Sequence, residues 1–283
     1  MQSAAPSPRV LGIVVAFEPA DEVLEHVRVL SGQVERVVVV DNTPPGGPNA
    51  LARGALRANV SWIRLGANTG IAHALNVGVE EAEKGGFDWL AAFDQDTEIA
   101  EGYVGRLLAA AGSDPGVGMI VPGLEGVKAT ATSGDVRKAI TSGSLTRVAA
   151  FARAGRYREE YFIDYVDFEF CIRLRRAGYR IHRDASTLLR HPIGAPRTGS
   201  IAGFPVVTSN HAAVRRYYKV RNRVAMVREY LVAEPAWLGR DVASTGWEVV
   251  KILLLEDGKG AKLSMMARGA LDGLRGRMGP WQG

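Results

Sequence analysis

The chain has 283 residues, 47% of them hydrophobic and 23% charged, which excludes a largely disordered protein and allows one large domain or one domain with a small appendage. A single cysteine, Cys171, excludes a disulfide framework and a cysteine-rich zinc module; no apolar run approaches the roughly 20 residues that span a bilayer, and the first nine residues lack a secretory pattern, so a cytoplasmic location is expected. The net charge of +5 is uneven: residues 215–283 hold 13 basic and 7 acidic side chains, against 22 and 23 before them, which points to an anionic surface, lipid or nucleic acid, or else to a solvated helical face.

In chain order, VLGIVVAF (10–17) reads as a fully buried parallel strand. Residues 21–30 carry Val23, Leu24, Val27 and Leu30 at helical spacing. Residues 37–40 read as a second buried strand ending in Asp41-Asn42, and the stretch TPPGGPN after it as a loop. A third strand is expected over 60–65, then a helix over 71–82 capped by Asn68 or Thr69. A fourth strand over 89–93 ends in Asp94-Gln95-Asp96. This alternation predicts an α/β fold with a twisted parallel sheet and helices on both faces.

Further on, 119–121 reads as a strand and 141–145 (TSGSL) as a polar turn or strand. Asp167 can cap a helix with Phe170, Ile172 and Leu174 on its apolar face and Gly178 at its C-terminal stop. Residues 180–190 read as one or two short strands leading to His191-Pro192, and 213–232, 242–257 and 261–275 as helices. Residues 1–8 and 192–210 read as flexible, and the domain boundary is expected between a catalytic part, 1–212, and a basic helical part, 213–283.

Ligands of such sheets bind beyond the carboxyl ends of the strands, where Asp41 and the Asp94/Asp96 pair are expected. Aspartates there also cap turns. With neither a Gly-x-Gly-x-x-Gly nor a P-loop, the phosphates of a bound nucleotide need a metal ion. Asp-x-Asp carboxylates share a face if the backbone stays extended, and oxygen ligands suit Mg²⁺ or Mn²⁺. His191 is either a further imidazole ligand or a structural histidine. Asp164, Asp167 and Glu169 head a helix, either as caps or with one of them serving as a general base. The run RRYYKVRNR (215–223) places Arg215, Lys219 and Arg223 on one helical stripe with Arg221 and Asn222 off it. A guanidinium in this run can chelate a diphosphate, and a nucleic-acid surface is the other reading.

Several stretches, VVVVDN (37–42), NTGIAHALNVGV (68–79), FDQDTEI (93–99), TSGSL (141–145), YFIDYVDFEFCIRLRRAGY (161–179), RHPIG (190–194) and RRYYKVRNR (215–223), occur together in the order found in a known family. The chain resembles an inverting family 2 glycosyltransferase of GT-A fold, in the bacterial rhamnosyltransferase branch. The resemblance implies a Rossmann-like, mostly parallel sheet with a C-terminal helical extension. It implies that Asp41 contacts the nucleobase, that Asn42, Asn68, Gly70, Ser142 and Gly143 line the nucleotide pocket with Asp94 near the ribose, and that Arg221 faces the diphosphate. Asp96 and His191, with Asp94 assisting, would hold Mg²⁺ or Mn²⁺. Asp167, with Asp164 three residues earlier, corresponds to the base; Val166 stands where the family usually has Glu. The usual Thr-Tyr-Asn after the first strand is Ala16-Phe17-Glu18 here. The implied donor is dTDP-β-L-rhamnose, or else a UDP- or GDP-sugar, and the acceptor a growing cell-surface glycan on a polyprenyl diphosphate. A sugar nucleotidyltransferase is the alternative within enzymes. A nucleic-acid partner is not expected, because a carboxylate-lined edge repels phosphates without a metal. The basic C-terminal region, with Trp237, Trp247, Trp281 and the apolar VVKILLL, is expected to touch the anionic inner face of the plasma membrane, or else to pack on the catalytic part or in a homo-oligomer.

Overall fold

Residues VLGIVVA pair on both sides and are buried on both faces, so they form a central strand, β1 (Val10–Ala16), as a continuous β-branched run requires. In the computed structural model the described residues are 7–47, 57–190, 197–201 and 203–283. They divide into two compact units: Met1–Glu159 with Asp167–Pro192, and Glu160–Val166 with Ile193–Gly283.

The first unit is built on an eight-stranded sheet. After β1 come α1 (Glu22–Ser31), β2 (Arg36–Asp41), β3 (Val60–Arg64), α2 (Ile71–Lys84), β4 (Trp89–Asp94), α3 (Tyr103–Ala111), β5 (Val117–Leu124), β6 (Gly134–Val136), β7 (Ser144–Arg147), α4 (Val148–Ala154), α5 (Val166–Arg176) and β8 (Arg180–Leu189). The order across the sheet is β3-β2-β1-β4-β7-β5-β8-β6. β3, β2, β1 and β4 are mutually parallel, as are β5 and β8, while β7 and β6 pair antiparallel. The expected mostly parallel α/β sheet is therefore present. On one face Val14, Val37, Val39 and Phe93 pack with Val27, Leu30 and Leu107. On the other, α2 comes so close that a Cβ on Gly78 would collide with the Ile13 side chain, which is the packing reason for glycine in mid-helix.

The second unit holds a hairpin, β9 (Arg197–Ile201) and β10 (Phe204–Thr208), and three helices, α6 (Ala213–Tyr230), α7 (Pro235–Leu255) and α8 (Lys259–Arg275). The hairpin corrects the expectation of flexibility over its residues. Its turn is made by Gly203 at φ 83°, a conformation glycine adopts without strain. α6 and α8 lie backbone to backbone, because a Cβ on Gly269 would strike the Tyr217 carbonyl and one on Gly273 would come within 2.7 Å of the Arg221 carbonyl. Buried charges join the elements: Arg216 and Lys262 donate to the two oxygens of Glu256 at 2.6 and 2.8 Å, Arg223 donates to Asp241 at 2.8 Å, and Lys219 pairs with Glu248. α7 therefore buries charge beside apolar side chains, with Leu238 and Ile252 fully buried on its inner face. Its acids Asp241 and Glu248 face α6, while Val242, Trp247, Leu253 and Leu254 stay 46–57% exposed. Among the described residues no helix is long and apolar enough to cross a membrane.

Candidate active site

The carboxyl ends of β2, β1 and β4 lie side by side, since Ala16 pairs with Asp41 and Val15 with Asp94 in parallel register. The sheet thus brings the first two aspartate positions to one edge. Asp41 is fully buried there. One carboxylate oxygen accepts from the Thr43 backbone N–H at 2.9 Å and the other from the Trp62 indole at 3.2 Å. This carboxylate ties the end of β2 to Trp62 on β3. Asn42, also buried, accepts at Oδ1 from the Thr69 N–H (3.1 Å) and hydroxyl (2.9 Å), tying β2 to the turn before α2. That turn is closed by Asn68 Oδ1, which accepts from the Gly70 N–H at 3.1 Å. The cap residue of α2 is Gly70 itself, at φ 86°, rather than Asn68 or Thr69. Asn68 is exposed at the edge.

Extended backbone ends at Asp94, so the two carboxylates of Asp-Gln-Asp do not share a strand face. Residues 94–97 form a turn closed by the Thr97 N–H donating to the Asp94 carbonyl at 3.1 Å, with Asp96 exposed on it. Ser142 supports the turn from beneath: its hydroxyl accepts from the Asp94 N–H at 3.0 Å and lies 2.6 Å from the Thr97 hydroxyl. The Gly143 N–H donates to Ala92 and its carbonyl accepts from Tyr103, both at 2.7 Å. At φ 80°, with Leu189 and Tyr103 pressed against its Cα, position 143 has no room for a side chain. Ser142 and Gly143, expected as pocket lining, are both buried supports of the aspartate turn.

One contributor escaped the sequence reading. The Gln95 carboxamide accepts from the Phe17 N–H at 2.8 Å and donates to the Phe17 carbonyl at 3.1 Å, while its own carbonyl lies 2.9 Å from His26 Nδ1. The middle residue of Asp-Gln-Asp thereby pins the loop after β1 to the turn after β4. Nothing in the pattern of a glutamine between two aspartates announces this.

Two carboxylates on one turn are hard oxygen donors, a set that fits Mg²⁺ or Mn²⁺ with phosphate oxygens and water completing the shell. Among the described residues no cluster of three ligating side chains occurs. The third expected ligand, His191, lies outside the described residues.

The three carboxylates near α5 separate by environment. Asp167 is half-buried in the first helical turn, and its Oδ1 accepts from the Phe168 N–H at 2.8 Å, so it lies inside the helix rather than capping it. Glu169 is fully buried and receives Arg173, one turn on, at 2.7 and 2.8 Å. It serves packing. Asp164, in the second unit, sits at φ 63° and receives Arg215 at 3.3 Å from two nitrogens. Arg221, expected to face a diphosphate, lies in the second unit. It is buried, and its guanidinium donates to the carbonyls of Glu160 (3.1 Å), Tyr161 (3.0 Å) and Gly279. Desolvation, only partly offset by the Tyr217 and Tyr218 hydroxyls, lowers its pKa. The helical spacing gave no signal of this, since Arg223 on the charged stripe is buried as well.

Known proteins place this geometry. The family described as glycosyl transferase family 2 matches residues 13–176, which span β1 to the end of α5. The dTDP-rhamnosyl transferase RfbF of Shigella flexneri is 27% identical, over 95% of this chain and 97% of that protein. The mannosyltransferase PcManGT from Pyrobaculum calidifontis, solved with GDP-Man and Mn²⁺, superposes at a TM-score of 0.60 with 17% identity, over 94% of this chain and 87% of its own. GalNAc-T7 with UDP, GalNAc and Mn²⁺ superposes at 0.55 with 13% identity, over 79% of this chain and 48% of its own. These structures share the fold.

Proposed function

Because this chain belongs to glycosyl transferase family 2, we propose that it transfers L-rhamnose from dTDP-β-L-rhamnose to a hydroxyl of a growing glycan, with inversion at the anomeric carbon. The carrying observation is the edge where β2, β1 and β4 end together, with Asn68, Asp94 and Asp96 around it. Its support is the likeness, along nearly the whole chain, to a dTDP-rhamnosyl transferase. Asn68 and the Phe17 loop bound the nucleotide, and Asp94 meets its ribose. Asp94, Asp96 and His191 would hold Mg²⁺ or Mn²⁺, which would supply positive charge toward the diphosphate. Asp167 takes the proton of the acceptor hydroxyl; the first turn of a helix is a place where negative charge is favoured. The acceptor oxygen then bonds to the anomeric carbon as the bond to the diphosphate oxygen breaks, and the electron pair leaves with the diphosphate. One in-line displacement inverts the centre.

The acceptor in this reading is a glycan on a polyprenyl diphosphate at the inner face of the membrane. The outward apolar face of α7 and the basic excess of residues 215–283 support contact with anionic lipid. The test is a donor-hydrolysis and transfer screen over dTDP-, UDP- and GDP-sugars, with and without Mn²⁺. Turnover of dTDP-rhamnose above the others is expected. Turnover of a UDP- or GDP-sugar alone would reassign the donor.

A further inference from the structure

The segment between Glu160 and Asp167 carries a conformation that its own residues do not favour. Phe162, Asp164 and Tyr165 have φ of 64°, 63° and 66°. None is glycine; aspartate enters the left-handed region more readily than most residues, but bulky side chains such as Phe162 and Tyr165 rarely do. Such a conformation persists only where surrounding contacts over-determine it.

The main-chain contacts come largely from one dipeptide, Arg221-Asn222. Asn222 Nδ2 donates to the carbonyls of Tyr161, Ile163 and Asp164 at 3.0, 2.8 and 2.8 Å. Asn222 is fully buried, and Arg221 Nε donates to its Oδ1 at 3.0 Å, which fixes which side of the amide faces the segment. Arg221 takes the Glu160 and Tyr161 carbonyls with Nη2 and the Gly279 carbonyl with Nη1. Gly279 in turn donates to the Glu160 carbonyl at 2.7 Å. Phe162 is stacked on Tyr218, centroids 4.8 Å apart and planes 17° apart. Nearly every carbonyl from 160 to 164 is thus held by α6 or by the residues after α8.

We propose that Asn222 and Arg221 are positioning residues of the transfer reaction, holding residues 160–165 in the strained path by which the chain enters the helix turn carrying Asp167. This rests on the reading of Asp167 as the base. Neither residue meets substrate. They act by fixing the backbone, so that the carboxylate is presented in one direction. The chemistry of the clamp, side-chain donors on main-chain carbonyls, explains why an arginine and an amide adjoin on an otherwise charged helix.

The test compares Asn222→Asp, which keeps the oxygen that Arg221 holds but removes both donors, with Arg221→Lys, which keeps a buried cation but cannot span three carbonyls. Asp167→Asn is measured in parallel. Three quantities are read on the full chain: kcat with the donor, nucleoside-diphosphate affinity by calorimetry, and amide hydrogen exchange over residues 160–167 and over β1. The expected result is a 10- to 100-fold fall in kcat, affinity within twofold, and faster exchange in 160–167 with β1 unchanged. A merely structural role would lower affinity and β1 protection along with kcat. Wild-type kcat, or unchanged exchange over 160–167, in whichever of the two variants folds overturns the proposal. Wild-type turnover in Asp167→Asn, with the two clamp variants still impaired, overturns the base assignment instead.

Discussion

Glu169 and Asp167 are two positions apart on one helix and illustrate how environment divides carboxylates. Glu169 has no exposure and is answered by Arg173, which also reaches the Ala154 and Arg156 carbonyls. Glu169→Ala would leave that guanidinium without its counter-ion, so a loss of about 3 kcal/mol is expected in chemical denaturation. Asp167 is half-exposed, and its Oδ1 accepts from the neighbouring Phe168 N–H. Asp167→Asn should lower kcat by two to four orders of magnitude, the usual worth of a general base, with thermal midpoint and nucleotide affinity little changed. On the aspartate turn, Asp96→Ala should abolish the Mn²⁺ dependence of nucleoside-diphosphate binding in a calorimetric titration; equal metal dependence in both proteins would remove Asp96 from the site. At this scale the sequence was a partial guide. Residue types at the strand ends were readable because parallel strands put their termini at one edge. Which of them turn outward was not, because burial of Asp41 and Arg221 depends on partners 21 and 58 positions away, Trp62 and Gly279.

α7 and α8 make opposite use of small residues and apolar surface. Gly269 and Gly273 let α8 touch the backbone of α6. Gly269→Val should therefore cost at least 1–3 kcal/mol by overpacking, seen as a lower denaturation midpoint, whereas Gly260→Ala, whose Cβ would meet nothing within 4 Å, should not. α7 spends its acids inward and shows Trp247 and Leu254 outward. Trp247→Ser with Leu254→Ser should abolish co-sedimentation with anionic liposomes at low salt while leaving soluble-donor hydrolysis intact; an intact protein that stays in the supernatant would rule out the membrane contact. The strands β1, β2 and β4 were legible because double burial makes a continuous β-branched run. The β9–β10 hairpin was not, because its alternation is interrupted by Gly199 and Pro205. α3 and α4 went unread because they are short, 9 and 7 residues, and rich in alanine, which marks neither a core nor a solvent face. The mixed inner face of α7, with Leu238 and Ile252 beside Asp241 and Glu248, could not be read: a helical pattern shows that two faces differ, not which one faces protein.

Across the whole chain, one half-buried histidine, His211, gives stability a slope in mild acid. His211 is pushed down to about 4 by burial and by the neighbouring Arg215, against an ordinary value of 6.5, with Asp164 opposing and Arg216 and Lys219 adding to the effect. A depressed folded pKa means that the unfolded chain takes the proton first. His211 therefore contributes fully above pH 6.5 and progressively less as pH falls toward 4. Glu256 loses its contribution only below its ordinary 4.5, since Lys262, Thr208 and Arg216 overcome the burial that would raise it. Between pH 6.5 and 4.5 the histidine slope stands apart, about 2 kcal/mol after allowance for partial exposure. His211→Gln should flatten it in urea titrations. The unit that holds His211 is also discontinuous, since residues 160–166 belong to it while the flanking chain does not. On a ribosome the sheet strands β1 to β7 emerge before residue 160, but the groups that close on Glu160 and Tyr161, at 221, 222 and 279, emerge much later. A chain still lacking residues 221, 222 and 279 therefore lacks the donors that hold the carbonyls of residues 160, 161, 163 and 164.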